Sequence, residues 1–308
     1  MKALVLRGSR NLFTLRIGSK EMECRIKGKV LKEADYYYNP LAPGDIVETE
    51  NGLITGLEKR RNRFARFNQK GQAPQILAAN VDLVLCMTSP VSPPFRPRFI
   101  DRLLLEADYA GIPAAVVCNK YDLCNNLNND NVDTEERLED YIRIGFPVYR
   151  ISAKTGEGMK DLYNLIREKT LVISGQSGVG KSTFIKKLIP DIDIKIGAIN
   201  EKYSRGKHTT IQSSLYDIPS MAASIIDTPG IRRFAPERIS PTEIIYYMPE
   251  FAPLAGKCSY GLSCYHTSEP GCKIMEAVAA GVIHEDRYES YLRIRDEMEG
   301  SDAYPDND

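Results

Sequence analysis

Residues 175–182 read Gly175-Gln176-Ser177-Gly178-Val179-Gly180-Lys181-Ser182, and this octet constrains the fold more than any other stretch. The pattern Gly-x-x-x-x-Gly-Lys-Ser has meaning only between a strand and a helix. Both neighbours fit: Leu171–Ser174 is a short apolar run, and Thr183–Leu188 has helical spacing. In such a loop the glycines let consecutive backbone N–H groups face phosphate oxygens, with Thr183 opening the helix behind them. Lys181 reaches the β- and γ-phosphates, and the Ser182 hydroxyl ligates Mg²⁺.

A loop of this kind needs a parallel sheet, and the preceding residues supply its rhythm. Val81–Met87, Ile112–Cys118 and Val148–Ile151 read as strands, with helices at Arg98–Tyr109, Thr134–Ile144 and Met159–Glu168 between and after them. Alternating strands and helices predict a parallel α/β sheet, whose ligands bind at the carboxyl ends of the strands. At two of those ends stand Asn119-Lys120-Tyr121-Asp122 and Ser152-Ala153-Lys154. The Asp122 carboxylate can accept two hydrogen bonds from the N1–H and N2–H₂ edge of guanine, whereas adenine would leave the charge unpaired. The second stretch can offer a backbone N–H to guanine O6. Either alone could be a plain helix cap; beside a phosphate loop the pair predicts guanine selection over an adenine-specific ATPase or kinase.

Downstream, Ala223–Ile226 reads as a strand ending in Asp227-Thr228-Pro229-Gly230. Asp227 is placed to hold Mg²⁺ and the Gly230 N–H to sense the γ-phosphate, though the tetrapeptide by itself is also a common turn. Between these motifs Arg205-Gly206-Lys207-His208-Thr209-Thr210 suits a switch loop, with Thr209 and Thr210 facing the nucleotide and Thr210 completing the Mg²⁺ shell. In Ras-like enzymes a Gln after the motif's Gly orients the attacking water; here that position is Ile231, which cannot. Isolated turnover is expected to be slow. The catalytic set predicted from the sequence is Lys181, Thr210 and His208, the last as water orienter. His208 could equally serve as a structural hydrogen bond in its loop.

The net charge is zero, yet residues 1–70 carry 15 Lys/Arg against 8 Asp/Glu. Short runs at Ala3–Leu6, Leu12–Ile17, Met22–Val30, Asp45–Thr49 and Leu53–Leu57, with Asn51-Gly52 as a hairpin turn, predict a small all-β barrel of the OB type. The stretch Lys59-Arg60-Arg61-Asn62-Arg63-Phe64-Ala65-Arg66-Phe67 reads either as a solvated linker or as a phosphate-tracking, base-stacking RNA surface.

Seven cysteines argue against a disulfide framework. Cys258-x₅-Cys264-x-His266-x₅-Cys272 instead offers three thiolates and one imidazole within 15 residues, a set suited to one structural Zn²⁺. Helices are expected at Lys273–Ala280 and His284–Glu297, with His284 at a helix start. Tyr288, Tyr291 and Leu292 form either a core face or a recognition stripe. The segment from Gly300 to Asp308 reads as a disordered acidic tail. Apolar stretches fall short of the ~20 residues of a membrane span, and the N-terminus lacks a signal-peptide core. A cytoplasmic protein with no membrane partner is expected.

The order of the motifs is unusual, because the guanine-reading pair precedes the phosphate and Mg²⁺ motifs. That is the order of a circularly permuted GTPase. In this order, in its barrel and in its Cys/His tail the chain resembles the ribosome small subunit-dependent GTPase A family (RsgA, also YjeQ). Gln75–Asp82 and Gly206–Thr210 look like that family as well, while five residues rather than its usual four separate Cys258 from Cys264. The resemblance implies binding of GTP/GDP and of the 30S subunit with its rRNA late in maturation, and hydrolysis stimulated by that subunit. It is also consistent with a monomer. The expected architecture is an OB-fold barrel over residues 1–68, a permuted α/β GTPase domain over 69–235 and a helical zinc-binding domain over 236–308. A GTP-gated RNA-binding module with negligible hydrolysis is the rival reading.

Overall fold

The computed structural model describes residues 1–9, 11–28, 31, 37–68, 73–126, 132–192, 213–228 and 239–300. The expected switch segment 205–210, Pro229 to Ile231, the second domain boundary at 235/236 and the tail beyond Gly300 lie outside them.

Five strands close into a barrel: β1 (Lys2–Ser9), β2 (Leu12–Ile17), β3 (Lys20–Ile26), β4 (Ile46–Glu50) and β5 (Leu53–Leu57). Their order is β1-β2-β3-β5-β4, with β1 paired back to β4 and β3 parallel to β5. Every second residue of these strands turns inward, so Val5, Phe13, Leu15, Cys24, Val47 and Ile54 fill the interior. Asn51 and Gly52 have φ of 51° and 74°, the two positive values that a two-residue turn needs between right-twisted strands.

The Arg/Phe stretch becomes part of an antiparallel ribbon, β6 (Arg63–Asn68) with β7 (Ala73–Ala79). The expected boundary at 68/69 falls between its two strands. The ladder slips register between Phe64 and Ala65, and both are buried: Phe64 packs with Leu103, Leu104 and Ala107 of the following helix, and the Ala65 N–H donates to Glu106 Oε1 at 3.0 Å. Arg60 grips the buried Asp45 carboxylate from Nε and Nη2 at 2.7 and 2.8 Å, and Arg61 pairs with Asp82 at 2.6 Å. The expectation of a stacking surface is therefore corrected at Phe64, which is core, and at Arg60, which ties the barrel's end to the ribbon's approach.

Beyond the ribbon lies a six-stranded sheet of β8 (Leu83–Thr88), β9 (Ala114–Cys118), β10 (Val148–Arg150), β11 (Thr170–Gly175), β12 (Ser214–Ile218) and β13 (Ala223–Asp227). The order is β10-β9-β8-β11-β13-β12, parallel except for β12 against β13. Buried on both faces, the strands read as continuous apolar runs. Val84, Cys86, Val116 and Val172 pack with α1 (Pro97–Tyr109) and α2 (Val132–Arg143). Leu85, Met87, Val117 and Ile173 pack with α3 (Met159–Ile166) and α4 (Lys181–Leu188).

After a series of short 3₁₀ turns, α5 (Lys273–Ala279) and α6 (Glu285–Met298) complete the C-terminal region. His284 caps α6, its Nδ1 accepting from the Asp286 N–H at 3.2 Å. Tyr291 is fully buried among Phe251, Ile274 and Ile294, which settles its role as core. A second face of α1, at Arg98, Asp101, Arg102 and Leu105, meets this region. Buried Asp101 accepts from Arg287 Nη1 (3.0 Å), Ser290 Oγ (2.6 Å) and Tyr141 Oη (2.7 Å), while Arg287 also forks onto Glu250 at 2.6 and 3.1 Å. Arg98 pairs with Glu289, and Arg102 with Glu297. Among the described residues no helix is long and apolar enough to cross a membrane.

Removing one partner of such a buried network strands the others. Asp101→Ala should cost about 3 kcal/mol of stability, read as an earlier denaturant midpoint; an unchanged midpoint would show that the junction does not depend on this carboxylate.

Candidate functional site

The parallel register brings the strand ends to one level. Cys118 lies beside both Thr88 and Arg150, Gly175 beside Met87, and Asp227 beside Ile173. The loops beginning at Asn119, Ile151 and Gln176 and the Asp227 carboxylate therefore share one edge, the place where α/β sheets hold ligands.

Asn119 joins these loops. Only 2% exposed, it donates from Nδ2 to the Val179 carbonyl at 2.8 Å and accepts at Oδ1 from the Ala153 N–H at 2.9 Å. Its own N–H donates to Thr88 O at 2.9 Å. One carboxamide thus binds the phosphate-loop candidate to the Ser152–Lys154 loop. It also engages the Ala153 N–H, one of the backbone donors in the stretch expected to offer an N–H to guanine O6. Lys120, at φ 63°, donates from Nζ to the Ser92 carbonyl at 2.5 Å, and half-buried Asp122 stands in the short turn Tyr121–Asn126. Ser152 is buried, its Oγ accepting from the Thr155 N–H at 3.1 Å and its N–H donating to Glu157 O at 3.0 Å. Lys154 is exposed.

Gly175 closes β11, where a Cβ would lie 2.3 Å from Met87 O. Gln176, Ser177, Gly178, Val179 and Gly180 then turn into α4, with Ser182 and Thr183 half-buried in its first turn. Lys181 folds its ammonium back onto the Gly175 and Gln176 carbonyls at 2.6 and 2.8 Å. Burial lowers its pKa, opposed by the Asp227 carboxylate; burial likewise pushes Asp227 up to about 6, opposed by Lys181. Two desolvated opposite charges at a helix N-terminus suit an anion accompanied by a cation. His208, Thr209, Thr210 and Gly230 lie outside the described residues.

A second cluster sits in the C-terminal region. Cys258, Cys264, His266 and Cys272 are all buried, with their ligand atoms within 4.8 Å of one another. His266 Nδ1 is 3.5 Å from Cys258 Sγ and 3.4 Å from Cys272 Sγ, and those sulfurs are 3.9 Å apart. A tetrahedron with the usual Zn–S and Zn–N bond lengths has edges of about 3.8 and 3.6 Å. The longer spacing after Cys258 does not displace it, and its Sγ also accepts from the Lys273 N–H at 3.3 Å. Glu269 folds the intervening loop by accepting from the Tyr265, Thr267 and Ser268 N–H groups; these outweigh its desolvation and lower its pKa to about 2.

Sequence reasoning missed the bridging role of Asn119 and the Ser92 contact of Lys120. The motif named both residues, but no local signal marks partners 28, 34 and 60 residues away. Gly180 carries a testable consequence: at φ 96° any Cβ is strained, and one here would lie 2.3 Å from Asn119 Nδ2. Gly180→Ala should weaken nucleotide binding by about tenfold or more, measured by titration; parent-like affinity would show that the Asn119 bridge is not needed.

The chain matches the RsgA GTPase family over residues 57–237. It is 34% identical over 322 residues to a Flavobacterium psychrophilum protein named small ribosomal subunit biogenesis GTPase RsgA, covering 100% of this chain and 97% of that one. Among solved structures, YjeQ from Thermotoga maritima superposes with a TM-score of 0.71 at 27% identity, covering 97% of this chain and 98% of that one. YloQ, described as a circularly permuted GTPase, gives 0.66 at 25% identity over 99% of this chain and 96% of its own. With its barrel, its strand-end motifs in permuted order and these likenesses along its length, the chain belongs to the RsgA GTPase family.

Proposed function

We propose that this chain is a cytoplasmic, monomeric GTPase of small ribosomal subunit biogenesis, which binds the 30S subunit and its rRNA and hydrolyses GTP to GDP and phosphate under that subunit's stimulation. The observation that carries this reading is the Asn119 carboxamide, which ties the phosphate loop and the Ser152–Lys154 loop into one rigid edge. A purine base and its phosphates need both loops in fixed relation.

In this reading Asp122 accepts from the guanine edge, Asn119, Lys120 and Ser152–Lys154 frame the base, and residues 175–183 cradle the phosphates. Lys181 leaves the Gly175 and Gln176 carbonyls for the β- and γ-phosphates, where its charge counts most in the transition state. Thr209, Thr210 and Gly230 complete the γ-phosphate contacts, and His208 orients the water that Ile231 cannot. The oxygen donors Ser182, Thr210 and Asp227 suit Mg²⁺. Burial drives Asp227 up to about 6, so a cation beside it would favour its ionised form. Mg²⁺, once bound with GTP, offsets phosphate charge. In the tail, the donor separations and buried thiols of Cys258, Cys264, His266 and Cys272 fit Zn²⁺, which would add folding free energy there. Within residues 1–68 we read the barrel β1–β5 as the RNA-binding part, with β6 paired into the ribbon that leads to the GTPase domain of 69–235, and we read 236–308 as the zinc-binding domain. Ile231 favours one rival, a GTP-gated RNA-binding module; single-turnover rates with and without 30S separate the two.

Asp122→Asn should lower GTP affinity by about 100-fold or more, measured by titration; parent affinity would refute the guanine pocket. Elemental analysis should find one zinc per chain, lost in Cys264→Ala along with the order of the tail but not with GTP binding. A metal-free protein with an intact tail would refute the zinc site. With 30S present, His208→Ala should keep GTP affinity yet lose most of the stimulated rate; full stimulation would return His208 to a structural role.

A further inference from the structure

The two base-reading loops are joined a second time, by side chains that no motif names. Tyr121 occupies the variable position of Asn119-Lys120-Tyr121-Asp122. Its N–H donates to Ile151 O at 3.0 Å, its ring packs against the core beneath β9, and its hydroxyl donates to Glu135 Oε1 at 2.7 Å. From the other loop, Arg150 at the end of β10 donates to Glu135 Oε2 from Nε and Nη2 at 3.1 and 3.0 Å. Arg150 Nη2 also donates to Glu139 at 2.6 Å, so α2 holds the guanidinium from two successive turns. Glu135 therefore clasps the residue before Asp122 and the residue two before Ser152.

We propose that Glu135, with Tyr121 and Arg150, is a positioning set for guanine specificity, fixing the Asp122 carboxylate relative to the Ser152–Lys154 loop. This rests on the reading of Asp122 as the guanine acceptor. Half-exposed ion pairs of this kind contribute little to global stability. Their directional bonds instead set where two loops lie, and a carboxylate that must meet two adjacent donors is sensitive to small displacements. Tyr121 suits a permanent donor: burial and the Glu135 hydrogen bond push its pKa up to about 12, opposed by Arg150, so the phenol keeps its proton at neutral pH.

The test is titration of GDP and of inosine diphosphate, which lacks the 2-amino group that Asp122 would accept, on the full-length chain. Glu135→Ala should weaken GDP about tenfold and inosine diphosphate much less, narrowing the ratio between them, with the thermal midpoint of the free protein unchanged. Tyr121→Phe should weaken GDP in the same direction and add little in the Glu135→Ala background, since the hydroxyl acts through that carboxylate. Glu135→Gln, which keeps an acceptor for Tyr121 but offers Arg150 no charge, should fall between Glu135→Ala and the parent. Parent-like GDP affinity and ratio in Glu135→Ala, while Asp122→Asn loses GDP, overturns the positioning set and leaves the guanine pocket standing. An equal loss for both nucleotides with a lowered midpoint also overturns it, in favour of a structural role. Retention of GDP by Asp122→Asn removes the guanine pocket and this inference together.

Discussion

The level at which five parallel strands end is the constraint on which the rest of the molecule depends. Hydrogen-bonded register holds Thr88, Cys118, Arg150, Gly175 and Asp227 at one edge, whatever the order in which the chain visits them. β8 comes first and sits centrally; β9 and β10 add on one side, β11 and β13 on the other. Between β8 and β11 the strand order reverses, and α/β sheets hold ligands at such a crevice. Moving the chain's ends changes the crossovers but not the edge. A permuted GTPase can therefore keep its site, provided the loops stay mutually fixed, and buried Asn119 fixes two of them with one side chain.

The C-terminal region is held by a different kind of contact. α1 serves two cores: Ile100, Leu103 and Leu104 face the sheet, while Leu105 joins the cluster around Phe251 and Tyr291. Between these faces lies Asp101, fully buried, with three donors from α2 and α6. Burying such ions costs solvation, and an apolar junction could hold as firmly. Directional bonds add a register that greasy contact lacks, because Arg287 must meet Asp101 and Glu250 at once. The same α2 that supplies Tyr141 to this junction carries Glu135 toward the loops that begin at Asn119 and Ile151.

What the sequence made legible was local. The Asn51-Gly52 turn, the alternating barrel strands, the apolar parallel strands and the loop between β11 and α4 each rest on the pattern of adjacent residues, and each stands where that pattern put it. The β6–β7 ribbon was not legible, because Arg63-Phe64-Ala65-Arg66-Phe67 repeats every third residue and so shows neither the period of two that marks a half-buried strand nor one clean exposed stripe. Burial of Phe64 is decided by α1, forty residues on, and the engagement of Arg60 by Asp45 is decided by barrel closure. Cys258 shows the converse: its spacing departs from the family's, yet the Ser259 N–H on Gly271 O and the Lys273 N–H on the Cys258 Sγ hold that sulfur in the cluster. The Asn119 and Glu135 contacts were illegible too, since each partner arrives on a segment distant in sequence.

Lys181 and Asp227 show what the site costs the fold. Burial pushes the ammonium toward neutrality and the carboxylate up to about 6, and their mutual attraction only partly opposes either shift. Lys181 meanwhile satisfies its donors on two carbonyls of its own loop, a local arrangement that a phosphate anion would outcompete on charge. A bound anion and its cation would add to the opposite charge that each group already faces in the other. The same burial that shifts both groups away from their charged forms is what makes this edge select a phosphate accompanied by a cation over a neutral ligand.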